Sequence, residues 1–287
     1  MASLRDIKIR IKSVQSTSKI TKAMEMIAAS KMKRAQTMAL RGRPYIQKLE
    51  EVIGNLVNYS NPPLSHPFLN KRGKVRNAGY IFITSNRGLC GAFNSNIIRR
   101  MLEILREKNE TGEIVLTVGK KGRQAMERIG KTVLADFEQM PDKPSFLDTI
   151  GISRVVIDDF LNGKLDEIYM VYNHFYSLLT QKPVVKKLLP VESKTDEFSL
   201  AIKRDYIFEQ SREKLLDELL RRYVENMVYQ TVLESVASEH SARMMAMRLA
   251  SDNAGEIITN LTLKYNKTRQ AKITTEILEV MAGANAS

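Results

Sequence analysis

The sequence predicts an α/β protein: a long antiparallel coiled coil of N- and C-terminal helices, with an inserted Rossmann-like α/β domain between them. Three observations predict it. The eight prolines lie at 44, 62, 63, 67, 141, 144, 183 and 190, residues 1–41 contain neither Pro nor Gly, and after 190 the only glycines are Gly255 and Gly283. Helix breakers are therefore confined to the middle. Both ends carry apolar residues at alternating steps of three and four, the seam of a coiled coil. The middle alternates short apolar runs with amphipathic stretches, the pattern of strands and covering helices in a parallel sheet.

In the first segment, 1–60, the seam runs through Leu4, Ile7, Ile11 and Val14, pauses at polar Gln15 to Lys19, and resumes at Ile20, Met24 and Ile27. It continues through Met32, Ala35 and Ala39, and then through Ile46, Leu49, Ile53 and Leu56 to the break at Asn61-Pro62-Pro63. Pro44 is expected to bend or tighten the helix locally. The central segment, 61–198, begins with a charged approach over 71–76. Buried strands are predicted at 78–84, 113–119 and 166–175, and amphipathic helices at 92–108 and 145–162. Residues 186–198 read as a loop-like exit with room for an edge strand.

The last segment, 199–287, holds a helix expected over 206–284, which at about 1.5 Å per residue would be some 120 Å long. Such a helix has to pair with another long helix or sit inside a partner. If residue 57 lies level with residue 206, Met24 falls opposite roughly residue 239, close to Arg243, and Leu4 opposite about residue 259. Residues from about 260 onward are then left without an intramolecular partner.

The net charge of +13 is uneven: residues 1–48 hold twelve Lys or Arg against Asp6 and Glu25. A basic end implies an acidic protein surface, nucleic acid or anionic lipid. Coiled-coil arms of this charge also bind RNA, but only Tyr45 and Tyr59 supply aromatics before residue 60, so base-stacking platforms are missing. A single cysteine excludes an internal disulfide framework. No apolar run reaches the eighteen residues of a membrane span. The basic start lacks a signal-type apolar core and runs unbroken into the helix, so it reads as mature structure.

The chemistry-bearing patterns are few. Ser85 to Asn94 (SNRGLCGAFN) follows the first strand and opens a helix, where a phosphate could rest on backbone N–H groups. Gly88-x-x-Gly91 is not a dinucleotide fingerprint, however, and no P-loop occurs anywhere. The favoured reading is a structural turn, with Cys90 a structural thiol. The three histidines, His66, His174 and His240, lack metal-site spacing. Gly119 to Arg123 (GKKGR) reads as a solvated turn, and the methionines of the end helices as flexible seam packing. No catalytic residue, metal or cofactor is expected.

Residues 12–36 (KSVQSTSKITKAMEMIAASKMKRAQ) closely resemble the opening helix of the gamma subunit family of F-type rotary ATP synthases, bacterial type. The turn 85–94 resembles that family's central strand-turn motif, although Ala92 stands where many members have a second Gly. Residues 239–271 lead into 273–286 (ITTEILEVMAGANA), which looks like the family's C-terminal signature. The resemblance implies a non-catalytic rotor shaft. Its partners would be the alpha and beta subunits of the surrounding ring, the epsilon subunit and the c-ring, at the cytoplasmic face of a bacterial membrane, with no nucleic acid and no membrane span of its own. It also implies site roles. Met24, Arg243, Arg269 and Gln270 would contact beta subunits, the last two at a catch loop. Ile273, Ile277, Val280 and Met281 would face the collar of the ring, and Tyr206 and Glu209 would lie in the foot against the c-ring.

Overall fold

The computed structural model describes residues 3–58, 64–73, 75–107, 112–191 and 211–285. The elements are α1 (Leu4–Asn58), β1 (Asn77–Ile83), α2 (Phe93–Glu107), β2 (Gly112–Val118), α3 (Lys120–Arg128), β3 (Val133–Phe137), α4 (Phe146–Leu161), β4 (Glu167–Phe175), β5 (Gln181–Leu189) and α5 (Arg212–Asn285). At the start of α1, Ser3 and Asp6 form a reciprocal cap. The Ser3 N–H donates to Asp6 Oδ2 at 3.0 Å and the Asp6 N–H to Ser3 Oγ at 3.2 Å, which satisfies two otherwise orphaned helix donors. The helix continues through Pro44 without a break.

The chain divides into two compact units, Met1–Ala28 with Arg243–Ser287, and Ala29–Ala242. In the first unit, Ile7 and Ala28 of α1 and Met247 and Ala254 of α5 are buried. Burial fades along α5: Leu261, Tyr265 and Thr268 are half-buried, and every residue from Arg269 to Met281 is exposed.

The second unit holds a five-stranded sheet in the order β3-β2-β1-β4-β5. Strands β1 to β4 are parallel, and β5 runs antiparallel to β4. One face packs Ile81, Ile83, Leu116 and Met170 against α4, against Ile46 and Ile53 of α1, and against Leu216 to Val232 of α5. The other packs Tyr80, Phe82, Val115 and Val171 against Ile97, Met101 and Ile104 of α2 and Met126 of α3. Within this unit α1 and α5 are antiparallel neighbours: Tyr223 Oη donates to Glu50 at 3.0 Å, and Gln230 Nε2 donates to the Ala39 carbonyl at 2.9 Å.

Three expectations are corrected, and one strand that was not expected, β3, is added. The strand expected in the loop-like exit lies at Gln181–Leu189. It is the return arm of a hairpin whose turn is held by Tyr176 N–H donating to the Thr180 carbonyl at 3.2 Å. The basic segment from Gly119 opens a helix. Gly119 itself has φ +100, and a Cβ there would meet the Thr84 carbonyl oxygen at 2.4 Å, so only glycine fits. The short strand β3 stands at the sheet edge. Finally, the α1–α5 register lies about ten residues from the expected one: Glu50 meets Tyr223, whereas the expected alignment would put it near residue 213. The reason is the anchor, since α5 begins at Arg212 and residues 192–210, including 206, lie outside the described residues. The stretch in which every residue is exposed starts at Arg269, not near 260.

Candidate functional site

Between Ala29 and Ala242 the polar groups serve the fold. The turn after β1 is closed by Asn94, whose Nδ2 donates to Ser85 Oγ at 2.7 Å and to Cys90 Sγ at 3.2 Å, while its Oδ1 accepts from the Ser85 N–H at 3.2 Å. Cys90 is buried. Leu89 and Gly91 both take positive φ here, so the backbone curls around the Asn94 amide. Asp166, at the foot of β4, is held by Arg72 Nη1 at 2.8 Å and by the N–H groups of Arg76 and Asn77 at 2.8 and 3.0 Å. Burial would raise its carboxyl, but the Arg72 guanidinium and these two N–H donors outweigh it and hold it below the usual carboxylate value.

Two crevices of this unit open around the C-terminal ends of β1 to β3, one of about 380 Å³ beside Asn86, Arg87 and Lys120, another of about 430 Å³ beside Asp136 and Asp148. Asn86 already accepts from the Lys120 N–H at 3.0 Å, and Arg123 bridges to Asp136 at 3.3 Å and Glu138 at 3.1 Å. Asn86, Arg123, Asp136 and Glu138 are thus engaged in contacts that hold the turns in place. Among the described residues no cluster of His, Cys, Asp or Glu could hold a metal ion, and no helix is long and apolar enough to cross a membrane.

The site residues named by resemblance that the structure describes are on the two long helices. Met24 and Arg243 belong to the first unit and are half-buried. Arg269 and Gln270 are exposed, at the point where burial along α5 ends. Beyond them Ile273, Ile277, Val280 and Met281 are 46%, 54%, 73% and 59% exposed. At about 100° per residue these four share one third of the helix circumference. Beside this stripe Lys272 and Glu276 form an ion pair at 3.5 Å. A helix end with an apolar stripe and no internal cover is a surface for a partner. Tyr206 and Glu209 lie outside the described residues.

Residues 3–286 match the family model described as ATP synthase. The ATP synthase gamma chain of Janthinobacterium sp. (strain Marseille) is 46% identical over 291 positions, covering 100% of both chains. That of Legionella pneumophila (strain Corby) is 42% identical over 289 positions, again covering 100% of both. The chain belongs to the ATP synthase gamma chain family. Among solved structures, a chain from the central stalk/c-ring of Tetrahymena thermophila mitochondrial ATP synthase aligns with a TM-score of 0.62 at 26% identity, covering 81% of this chain and 99% of that one. A chain of the OSCP/F1/c-ring of Euglena gracilis mitochondrial ATP synthase aligns with a TM-score of 0.67 at 20% identity, covering 99% and 94%, and shares the fold.

Of the residues named by resemblance, Met24, Arg243, Arg269, Gln270 and the apolar stripe lie in the first unit, and Tyr206 and Glu209 outside the described residues. The polar contacts between α1 and α5, Tyr223–Glu50, Gln230–Ala39 and Arg43–Glu234 at 3.6 Å, were not expected from the sequence. Their only trace in the sequence is a polar residue at steps of seven and four inside an apolar seam.

Proposed function

We infer that this chain is the central rotor shaft of an F-type ATP synthase, itself non-catalytic, coupling proton flow through the membrane sector to ATP synthesis or hydrolysis on the beta subunits. The observation that carries this reading is the end-to-end relation to gamma chains at 46% identity. The uncovered apolar stripe from Ile273 to Met281 supports it, because it has the character of a surface meant to be enclosed.

A shaft with no threefold symmetry, turning inside a pseudo-threefold ring, presents a different face to each catalytic subunit. It therefore binds three conformations with unequal free energy, and rotation exchanges their nucleotide affinities. Contacts that must slide have to be individually weak, and exposed ion pairs worth about 0–1 kcal/mol suit this. The basic α1 fits acidic surfaces on the ring.

On this reading Met24 and Arg243 meet the beta lever, Arg269 and Gln270 a beta catch loop, and Ile273, Ile277, Val280 and Met281 the collar. Tyr206 and Glu209 belong to the c-ring foot. Residues 1–60 and 199–287 are the shaft pieces and 61–198 the inserted domain. The chain is peripheral, at the cytoplasmic face of the cell membrane beside the epsilon subunit. Co-expression with tagged alpha and beta subunits tests the reading. The chain should co-purify at one copy per three beta subunits and restore ATPase activity. Recovery of an active ring without it, or of the chain free of the ring, would overturn the assignment.

A further inference from the structure

Along the α1–α5 contact of the second unit, apolar positions are interrupted by a narrow polar line. At about 100° per residue, Tyr223, Gln230 and Glu234 fall within an arc of about 40° on α5, and Ala39, Arg43 and Glu50 within an arc of about 40° on α1. The two lines face each other: Tyr223 donates to Glu50 at 3.0 Å, Gln230 to the Ala39 carbonyl at 2.9 Å, and Glu234 pairs with Arg43 at 3.6 Å. Gln230 is buried. α1 is shaped to admit it, because a Cβ on Gly42 would lie 2.9 Å from Gln230 Oε1. Glycine and proline both weaken a helix interior, yet Gly42 and Pro44 stand two residues apart at this crossing, inside a helix otherwise free of Pro.

Apolar contacts are non-directional and tolerate sliding, so the seam of Ile46, Leu49 and Ile53 against Leu220, Val224 and Met227 does not by itself choose one alignment. Hydrogen bonds in a buried seam do, as a single polar seam residue does in coiled coils, at some expense in stability. We propose that the line Tyr223–Gln230–Glu234, keyed into Glu50, Gly42, the Ala39 carbonyl and Arg43, is the positioning element that fixes the register of the two shaft helices so that they carry torque as one body. This rests on the rotor-shaft reading. The groups are positioning residues and touch no nucleotide.

The test uses the assembled complex with a Cys90→Ser chain carrying spin labels at cysteines introduced at exposed Lys48 and Arg222. The parent should give one narrow interspin distance. Tyr223→Phe with Gln230→Met keeps the volume and removes both hydrogen bonds of the key, leaving only the Glu234–Arg43 pair. The distance distribution should broaden at least twofold, and protons pumped per ATP hydrolysed should fall at least threefold. ATPase of the soluble ring should stay within twofold. Gly42→Ala, which forces a Cβ onto the Gln230 amide, disturbs the key from the α1 side and should shift both readouts in the same direction, so a failure of the double variant to assemble does not end the test. A distribution as narrow as the parent's, or an unchanged pumping ratio, overturns the proposal. A parent chain that assembles but never couples ATPase to pumping overturns the rotor reading instead.

Discussion

Cys90 and Asp166 show what single side chains contribute at the two ends of the sheet. The Cys90 thiol is buried and accepts from the Asn94 amide, a bond that a serine hydroxyl can also accept. Cys90→Ser should retain most ATPase and synthesis activity in the assembled complex, and the parent thiol should resist a maleimide until the chain is unfolded. Asn94→Ala leaves the Ser85 hydroxyl and N–H without this partner and should destabilise by about 1–3 kcal/mol in urea titration. Asp166 adds a pH signature. Its folded value lies below the unfolded one, so its contribution is present above the ordinary carboxylate value near ~3.9. That contribution is lost as pH falls through the lower folded value. Asp166→Asn should cost about 2 kcal/mol at pH 7. The gap from the parent should narrow below about pH 4, which paired denaturation curves at the two pH values will read.

At the scale of elements, α5 divides into a covered part and an uncovered one. From Arg269 to Met281 no residue is buried, and an isolated helix of about a dozen residues is marginal in water. Hydrogen exchange should find amides 269–281 nearly unprotected in the free chain and at least tenfold slower in the assembled ring. Equal protection in both would mean the tip does not depend on the ring. The uncovered tip was legible because a helix of that length outruns any partner the N-terminal segment can supply. Its starting point was not, because register depends on which residues meet, and the seam offers many similar apolar pairs. Strands β1, β2 and β4 were legible as apolar runs buried on both faces. β3 was not: Val133 to Phe137 alternate between half-buried and exposed, and Asp136 breaks the apolar character. In α3 only Gly122 and Met126 are buried, so nine residues rich in charge looked like a solvated turn. The outward-facing roles of Met24, Arg243, Arg269 and Gln270 came from resemblance to a family, because the sequence of one chain does not contain its partner's surface.

For the molecule as a whole, stability and function are drawn from different residues, and this separates two kinds of substitution. The second unit holds both apolar clusters and nearly all the buried hydrogen bonds. Arg269 and Gln270 lie beyond the last buried position of the first unit, and surface positions of this kind usually shift stability by less than about 0.5 kcal/mol. Replacing both with Ala should therefore leave the urea midpoint of the free chain unchanged. In the assembled complex the same pair would donate to a beta subunit, and hydrogen bonds involving a charged group are worth about 1.5–3 kcal/mol. Their loss matters only in those rotational states where the contact forms, so it acts on the differences between states and not on assembly. Steady-state ATPase of the Arg269→Ala/Gln270→Ala complex should fall roughly tenfold, the rate equivalent of about 1.4 kcal/mol, with subunit stoichiometry intact on gel filtration. Unchanged turnover in the intact complex would show that this pair makes no state-dependent contact. A lowered urea midpoint would show that the tip is covered within the chain after all.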